Sequence, residues 1–410
     1  MPGLTGGALA HLRVLDLSRV LAGPWATQIL ADLGADVIKV ERPGTGDDTR
    51  QWGPPTLHDA AGRDTGEAAY FLAANRGKRS ITVNYAVPEG QAVIRRLAAQ
   101  SDVLVENHKV GDLARFGLDY EALRRENPRL IYCSITGFGQ TGPAAARAGY
   151  DFAIQALGGL MSVTGEPDGP PEKVGVAVAD IMGGLYAAIA ILAALAHRDQ
   201  SGAGEGQYID LALLDVQVAT LANVALNYLV SGEVPRRWGN AHPNIVPYQV
   251  FDTADRPIVL AVGNDAQFTR FCEAAGASDL AVDPRFATSP ARVTHRAALV
   301  AIVARLLAAR PAATWLADLE ARGVPCAPVN DVAQVFADPQ VRHRGLRVDL
   351  DHASGVAVPL VASPIRLSST PVEYRLPPPR LGAHTDAVLQ ERLGLTPDEI
   401  ARLRRAGVIA

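Results

Sequence analysis

The first 140 residues alternate between short strand-like runs and helical patterns, and this alternation limits the fold more than any other feature. Residues 12–17, 36–40, 80–84, 102–106 and 130–135 are short, apolar and rich in Val, Ile and Leu, which predicts five strands. A helix is predicted after the first, with Pro24 as an early helical residue and Gly34 as its C-cap. Another fits residues 88–100. Strand and helix in turn imply an α/β fold, a parallel sheet with helices on both faces. The turn after the first strand reads Val20-Leu21-Ala22-Gly23-Pro24 and lacks G-x-G-x-x-G, so nothing supports a nicotinamide or flavin cofactor.

A chain of 410 residues exceeds one ordinary core. A large domain is expected over 1–225, with a long helix at 181–198 and a sixth strand at 207–211. A smaller α/β domain is expected over 226–325. It opens after a Gly-, Pro-, Asn- and Trp-rich loop at 231–247, long enough to be functional. Residues 326–410 form a C-terminal segment of short connections, with two β segments near 346–350 and 356–365.

The net charge of −4 gives no general attraction to nucleic acid or an anionic membrane. An anionic ligand therefore needs a local basic patch. Cys133, Cys272 and Cys326 are far apart and form no C-x-x-C, which argues against a disulfide framework or zinc site and for a reducing, cytoplasmic setting. Residues 1–10 show no export-signal pattern. The longest apolar run, 181–196, is shorter than the about 20 residues a membrane span needs, so a buried core helix is expected. G-x-S-x-G, H-E-x-x-H, Walker and EF-hand patterns are absent, and the histidines show no metal-ligand spacing, so no metal is expected.

Asp180 ends one apolar stretch and opens another that contains Gly183 and Gly184. Two readings stand. Asp is among the best N-caps and needs no chemistry. An anionic Asp beside free helix-end N–H groups also suits covalent catalysis on a carbonyl compound. Lys39, Arg42, Arg50, Arg76, Lys78, Arg79 and Arg115 form a basic set, with Gly77 permitting close backbone approach. They read either as a phosphate site at the carboxyl ends of the strands or as ordinary surface ion pairs. Tyr150 reads as a group that hydrogen-bonds a reacting oxygen and Asp151 as one that caps or orients, or the pair reads as a plain helix start packing through Phe152 and Ile154.

These residues stand in a recognisable order: Leu15-Asp16-Leu17-Ser18-Arg19-Val20-Leu21-Ala22-Gly23-Pro24, Gly34-Ala35-Asp36-Val37-Ile38-Lys39-Val40-Glu41, Asn75-Arg76-Gly77-Lys78-Arg79-Ser80, Val105-Glu106-Asn107, Gly149-Tyr150-Asp151, Ala179-Asp180, Gly239-Asn240-Ala241-His242-Pro243 and Leu381-Gly382-Ala383-His384-Thr385. Together they resemble the class III coenzyme A transferases of CaiB/BaiF type, which include formyl-CoA transferase and the related α-methylacyl-CoA racemases. The resemblance implies that Asp180 is a catalytic nucleophile and that CoA thioesters are substrates, with no prosthetic group. It implies CoA contacts at Leu21, Ala22, Arg42, Asn75, Arg76, Gly77, Lys78, Asn107, His108, Lys109, Arg115, Ala148, Gly149, Tyr150 and Asp151. It also implies a Rossmann-like large domain to which the C-terminal segment 326–410 returns, a small domain, and an interlocked homodimer. Backbone N–H groups at Gly183 and Gly184 are candidate oxyanion donors.

Two departures bear on the reaction. Racemases of this type carry His before the motif's Asp, where this chain has Tyr150, so proton exchange at an α-carbon loses its obvious base. Formyl-CoA transferases carry Gln at the position of Leu21. The stretch containing Gly239, Asn240, His242 and Asn244 looks more like that of transferases handling dicarboxylic or hydroxy-dicarboxylic acids, and makes 231–247 a candidate lid. The expected activity is transfer of CoA from an acyl-CoA to a carboxylic acid. The alternatives are a racemase or epimerase, a non-catalytic CoA-binding protein and an acyl-CoA hydrolase.

Overall fold

The computed structural model describes residues 6–200, 202 and 204–410. Six parallel strands form the main sheet: β1 (Arg13–Asp16), β2 (Asp36–Glu41), β3 (Lys78–Thr82), β4 (Val103–Glu106), β5 (Ile131–Thr136) and β6 (Tyr208–Ala212). Their spatial order is β3-β2-β1-β4-β5-β6, as the α/β expectation required. The chain winds outward from β1 in one direction and from β4 in the other. The order reverses between these two strands, and such a reversal opens a crevice at the carboxyl ends where ligands bind.

Side chains alternate across the sheet, so each strand feeds two cores. Helices α1 (Ala22–Asp32), α2 (Pro88–Ala98), α3 (Asp151–Leu157), α4 (Val178–Gln200) and α5 (Leu213–Thr220) cover it. On one face Val14, Val37, Val105 and Cys133 meet Leu30 of α1 and Ala187 and Ile191 of α4. On the other, Leu15, Ile38, Leu104 and Tyr132 meet Ile94 and Leu97 of α2. The same core takes in Val388, Leu389 and Leu403 from two terminal helices, Thr385–Leu393 and Pro397–Arg405.

The chain divides into two units. The first holds the chain up to Leu160, Val174–Leu226 and Arg342–Ala410. The second holds Met161–Lys173 and Asn227–Val341. These boundaries differ from the expected 1–225, 226–325 and 326–410 in two places. Residues 161–173 join the second unit through loop-to-loop bonds that leave no sequence pattern, such as Gly239 N–H to the Gly165 carbonyl at 3.0 Å. The second unit also keeps the chain past 325, because Cys326–Pro328 (β9) completes its own sheet. There β9 and β7 (Tyr248–Phe251) flank β8 (Ile258–Ala261), all antiparallel. Phe251, Leu260, Phe268, Leu299, Val303 and Trp315 fill that core.

α4 is longer than the sequence suggests. It spans 23 residues, and its most apolar 18-residue stretch has a mean hydropathy of 2.0, enough by length and composition to cross a membrane. Ala187, Ala188, Ile191 and Ala194 bury one side, while Leu185, Tyr186 and Ile189 stay exposed.

Candidate active site

The crevice between β1 and β4 is lined by the turn after β1 (Arg19, Val20, Leu21, Ala22) and the turn after β4 (Asn107, His108, Lys109). Arg147, Ala148, Gly149, Tyr150 and Asp180 close it. The topology thus gathers residues as far apart in sequence as Arg19 and Asp180.

Asp180 is not a cap. α4 starts at Val178, which puts Asp180 in the first helical turn. The capping role falls to Asp151 of α3, whose Oδ1 accepts the N–H groups of Ala179 at 2.8 Å and Asp180 at 3.4 Å. Gln155 Nε2 donates to the other oxygen of Asp151 at 2.8 Å and fixes it. Among the described residues, the side chain of Asp180 meets no cation and accepts no hydrogen bond. Burial pushes its acid up to about 7, and the charge on Asp151 adds to that rise. A carboxylate held this way keeps its lone pairs free for a ligand.

Gly183 and Gly184 do not supply oxyanion donors. They lie more than a turn inside α4, where N–H groups are taken by the helix ladder. Their role is close packing. A Cβ on Gly184 would stand 2.7 Å from the Ala22 carbonyl oxygen and 3.0 Å from Trp25 Cβ, and one on Gly183 would stand 2.5 Å from Leu213 Cδ2. Free donors occur instead at the start of α1. No side chain caps this helix, Pro24 has no N–H, and the N–H groups of Leu21, Ala22 and Gly23 have no acceptor among the described residues. Leu21 and Ala22 line the same crevice as Asp180. The missing N-cap side chain at Leu21 is a signal the sequence contained.

The turn that leads into these donors is held at three successive residues, Ser18, Arg19 and Val20. Lys39 Nζ donates to the Ser18 carbonyl at 2.9 Å. Asn107 brackets Arg19, accepting its N–H at 2.9 Å and donating to its carbonyl at 2.6 Å. Both carboxyl oxygens of Asp47 lie 3.2 Å from the N–H of Val20. Val20 has φ of 70°, a left-handed conformation that a β-branched residue adopts only under constraint, at a cost of about 1–3 kcal/mol.

The basic set divides sharply. Lys39 and Lys78 are fully buried. Lys39 pairs with Asp47 at 2.9 Å. Lys78 pairs with Asp16 at 3.1 Å and donates to Asn75 Oδ1 and the Pro24 carbonyl, both at 2.9 Å. Burial alone would raise the acids of Asp16 and Asp47. Lysine charge and hydroxyl donors outweigh it and hold both below the ordinary carboxylate value, Asp47 at about 2. Arg76 clasps Asp32, and Arg50 clasps Glu41. Gly77, with φ of 75°, packs where a Cβ would stand 2.9 Å from Ala31 Cβ. The expected phosphate-end segment Asn75, Arg76, Gly77 and Lys78 is thus engaged in buried ion pairs and packing and is not among the residues lining the crevice. Sequence shows the cations but not the acids that the fold brings to them.

Arg42 remains half exposed, paired with Asp48 at 2.6 Å, and lines a neighbouring recess with Tyr85 and His108. Tyr85 was not singled out from sequence. Its hydroxyl lies 3.2 Å from His108 Nε2, and burial lowers that imidazole to about 4. Arg115 is exposed, paired with Asp112 at 2.8 Å, and lines neither recess. Lys109 and Arg147 line the crevice with no acidic partner among the described residues, Arg147 lying 5.0 Å over the Phe138 ring. Tyr150 is 66% exposed at the head of α3, and Gly149 packs on Gly137.

Gly239, Asn240, His242 and Asn244 lie in the second unit. His242 Nδ1 accepts the Asn244 N–H at 3.0 Å, and Arg296 donates to the carbonyls of His242 and Pro243. Arg236 and Arg296 both lie against the Trp238 ring.

Comparison with known proteins shows the family. The family model CoA-transferase family III matches residues 9–385. The succinate–glutarate CoA-transferase of Agrobacterium fabrum is 55% identical, covering 93% of this chain and 95% of the relative. The human succinyl-CoA:glutarate CoA-transferase is 44% identical, covering 98% and 90%. A crystal structure of a CaiB/BaiF family protein from Brucella suis superposes with a TM-score of 0.83 at 50% identity, covering 95% and 100%. The chain belongs to CoA-transferase family III, the CaiB/BaiF type, and is a CoA-transferase.

Proposed function

We propose that this enzyme moves CoA from a dicarboxylic acyl-CoA to a second dicarboxylic acid, with Asp180 as the covalent carrier. The observation that carries the reading is an unpaired Asp180 carboxyl in the same crevice as the uncapped start of α1. The names of the relatives, succinate–glutarate and succinyl-CoA:glutarate, support the substrate class.

The ionised Asp180 attacks the donor thioester carbonyl, and the C–S bond breaks to give an aspartyl anhydride and CoA thiolate. The thiolate attacks the aspartyl carbonyl, forming an aspartyl-CoA thioester and freeing the donor acid. The acceptor carboxylate attacks that thioester and expels thiolate, leaving a new anhydride. Thiolate then attacks the acceptor's carbonyl, which yields the new acyl-CoA and restores the Asp180 carboxylate. Every step exchanges one activated acyl bond for another. The N–H groups of Leu21 and Ala22 stabilise the oxyanions, a role in which a single donor contributes roughly 100- to 1000-fold.

Arg42, Asn107, His108 and Lys109 hold the CoA moiety, with Ala148 to Asp151 on the opposite wall. The exposed Leu185, Tyr186 and Ile189 on α4 suit burial against a second copy in a homodimer. Three reduced cysteines fit a cytoplasmic setting. Incubation with succinyl-CoA and a panel of carboxylic acids tests the reading. New acyl-CoA species from dicarboxylic acceptors are expected. Thiol release without an acceptor, or solvent deuterium at the α-carbon without transfer, would overturn it.

A further inference from the structure

The buried pair Lys39–Asp47 has no place in the chemistry above, yet it ends on the backbone of the donor turn. Lys39 is fully buried and the Asp47 side chain is 1% exposed. Asp47 is bound further by Thr49, through its N–H at 3.0 Å and its hydroxyl at 2.8 Å. Its own N–H donates to Glu41 Oε2 at 2.9 Å. An acid so anchored cannot drift, and its free edge faces the N–H of Val20.

Val20 is one of two non-glycine residues at positive φ among the described residues. A valine left to itself returns to negative φ. That rotation would re-aim the next peptide units, which carry the Leu21 and Ala22 N–H groups. We infer that Asp47 is a positioning residue: held by Lys39, it keeps Val20 left-handed and so sets the aim of the Leu21 and Ala22 N–H groups into the crevice. This rests on the proposed transfer reaction and adds a residue that acts through the backbone of the donor turn.

Strain of this kind is kept where the surroundings over-determine a backbone that function needs. A purely stabilising pair would have no reason to end on the most contorted peptide of the crevice. Misplacing oxyanion donors raises the barrier without weakening ground-state binding, so the loss belongs in kcat.

The test uses the full-length enzyme and succinyl-CoA with glutarate. Asp47→Ala is expected to lower kcat about 100-fold with KM for the thioester changed less than about threefold. Because that variant leaves Lys39 buried without its counter-charge, the same measurement is made on Lys39→Met/Asp47→Ala, which removes both charges. Adding Val20→Gly to either background is expected to restore kcat at least about tenfold, since glycine takes positive φ without strain. A merely structural role predicts the opposite, because glycine loosens the turn further. Failure of glycine to rescue, or a loss that falls in KM, would overturn the inference. Transfer persisting in Asp180→Ala would sink the underlying reaction scheme instead, and the two failures are therefore distinct.

Discussion

Two parts of the first unit treat buried carboxylates in opposite ways. Against the turn after β1, Asp16 and Asp47 each have a lysine and several hydrogen-bond donors, and both are held below their ordinary values. At the wall of the crevice, Asp180 has neither, and burial beside Asp151 raises its acid to about 7. The contrast shows where the fold places its charge compensation. The scaffold receives it, and the proposed nucleophile does without. An ion-paired Asp180 would be a weak nucleophile, and an unpaired Asp47 would not hold the turn.

The contrast can be broken from either side. Asp180→Ala is expected to lower transfer by at least about 1000-fold while circular dichroism stays unchanged. Gly184→Leu is expected to cost about 1–3 kcal/mol or more by forcing α1 away from α4, read as a lower Tm, because the space meets the Ala22 carbonyl. Arg42→Ala is expected to raise KM for the acyl-CoA roughly tenfold with a smaller change in kcat. An unchanged KM would remove Arg42 from the CoA site.

The pH dependence sharpens the same comparison. Only ionised Asp180 attacks, so kcat/KM is expected to rise with pH through about 7 and then level. Stability runs the other way. The folded protein holds the Asp180 proton up to about 7, above the ordinary carboxylate range, so this group's contribution is present at low pH and lost as pH rises through about 7. Asp180→Asn should therefore raise Tm relative to the parent at pH 8 and make little difference near pH 4. Asp47 has the opposite sign, since its acid lies at about 2 and its contribution is lost only in strong acid.

Much of the sheet was legible because strands buried on both faces leave apolar runs. Residues 36–40 and 130–135, for example, fall within or against β2 and β5. The order of motifs also pointed to Asp180. Three features were not legible, for separable reasons. Lys78 and Arg76 read as ligand-binding cations because their partners Asp16 and Asp32 are far away in sequence. Gly183 and Gly184 read as donors because the helix start was placed three residues late, which shifted every N–H assignment. Val20 gave no signal, since valine is the wrong residue for positive φ and only tertiary bonds hold it there.

Trapping the covalent intermediate tests the central claim most directly. The enzyme is incubated with succinyl-CoA, quenched with hydroxylamine and digested, and its peptides are mapped by mass spectrometry. A hydroxamate on the peptide bearing Asp180, absent without the thioester, is the expected result. A hydroxamate on another acid, or an unmodified Asp180 under conditions of active transfer, would contradict it.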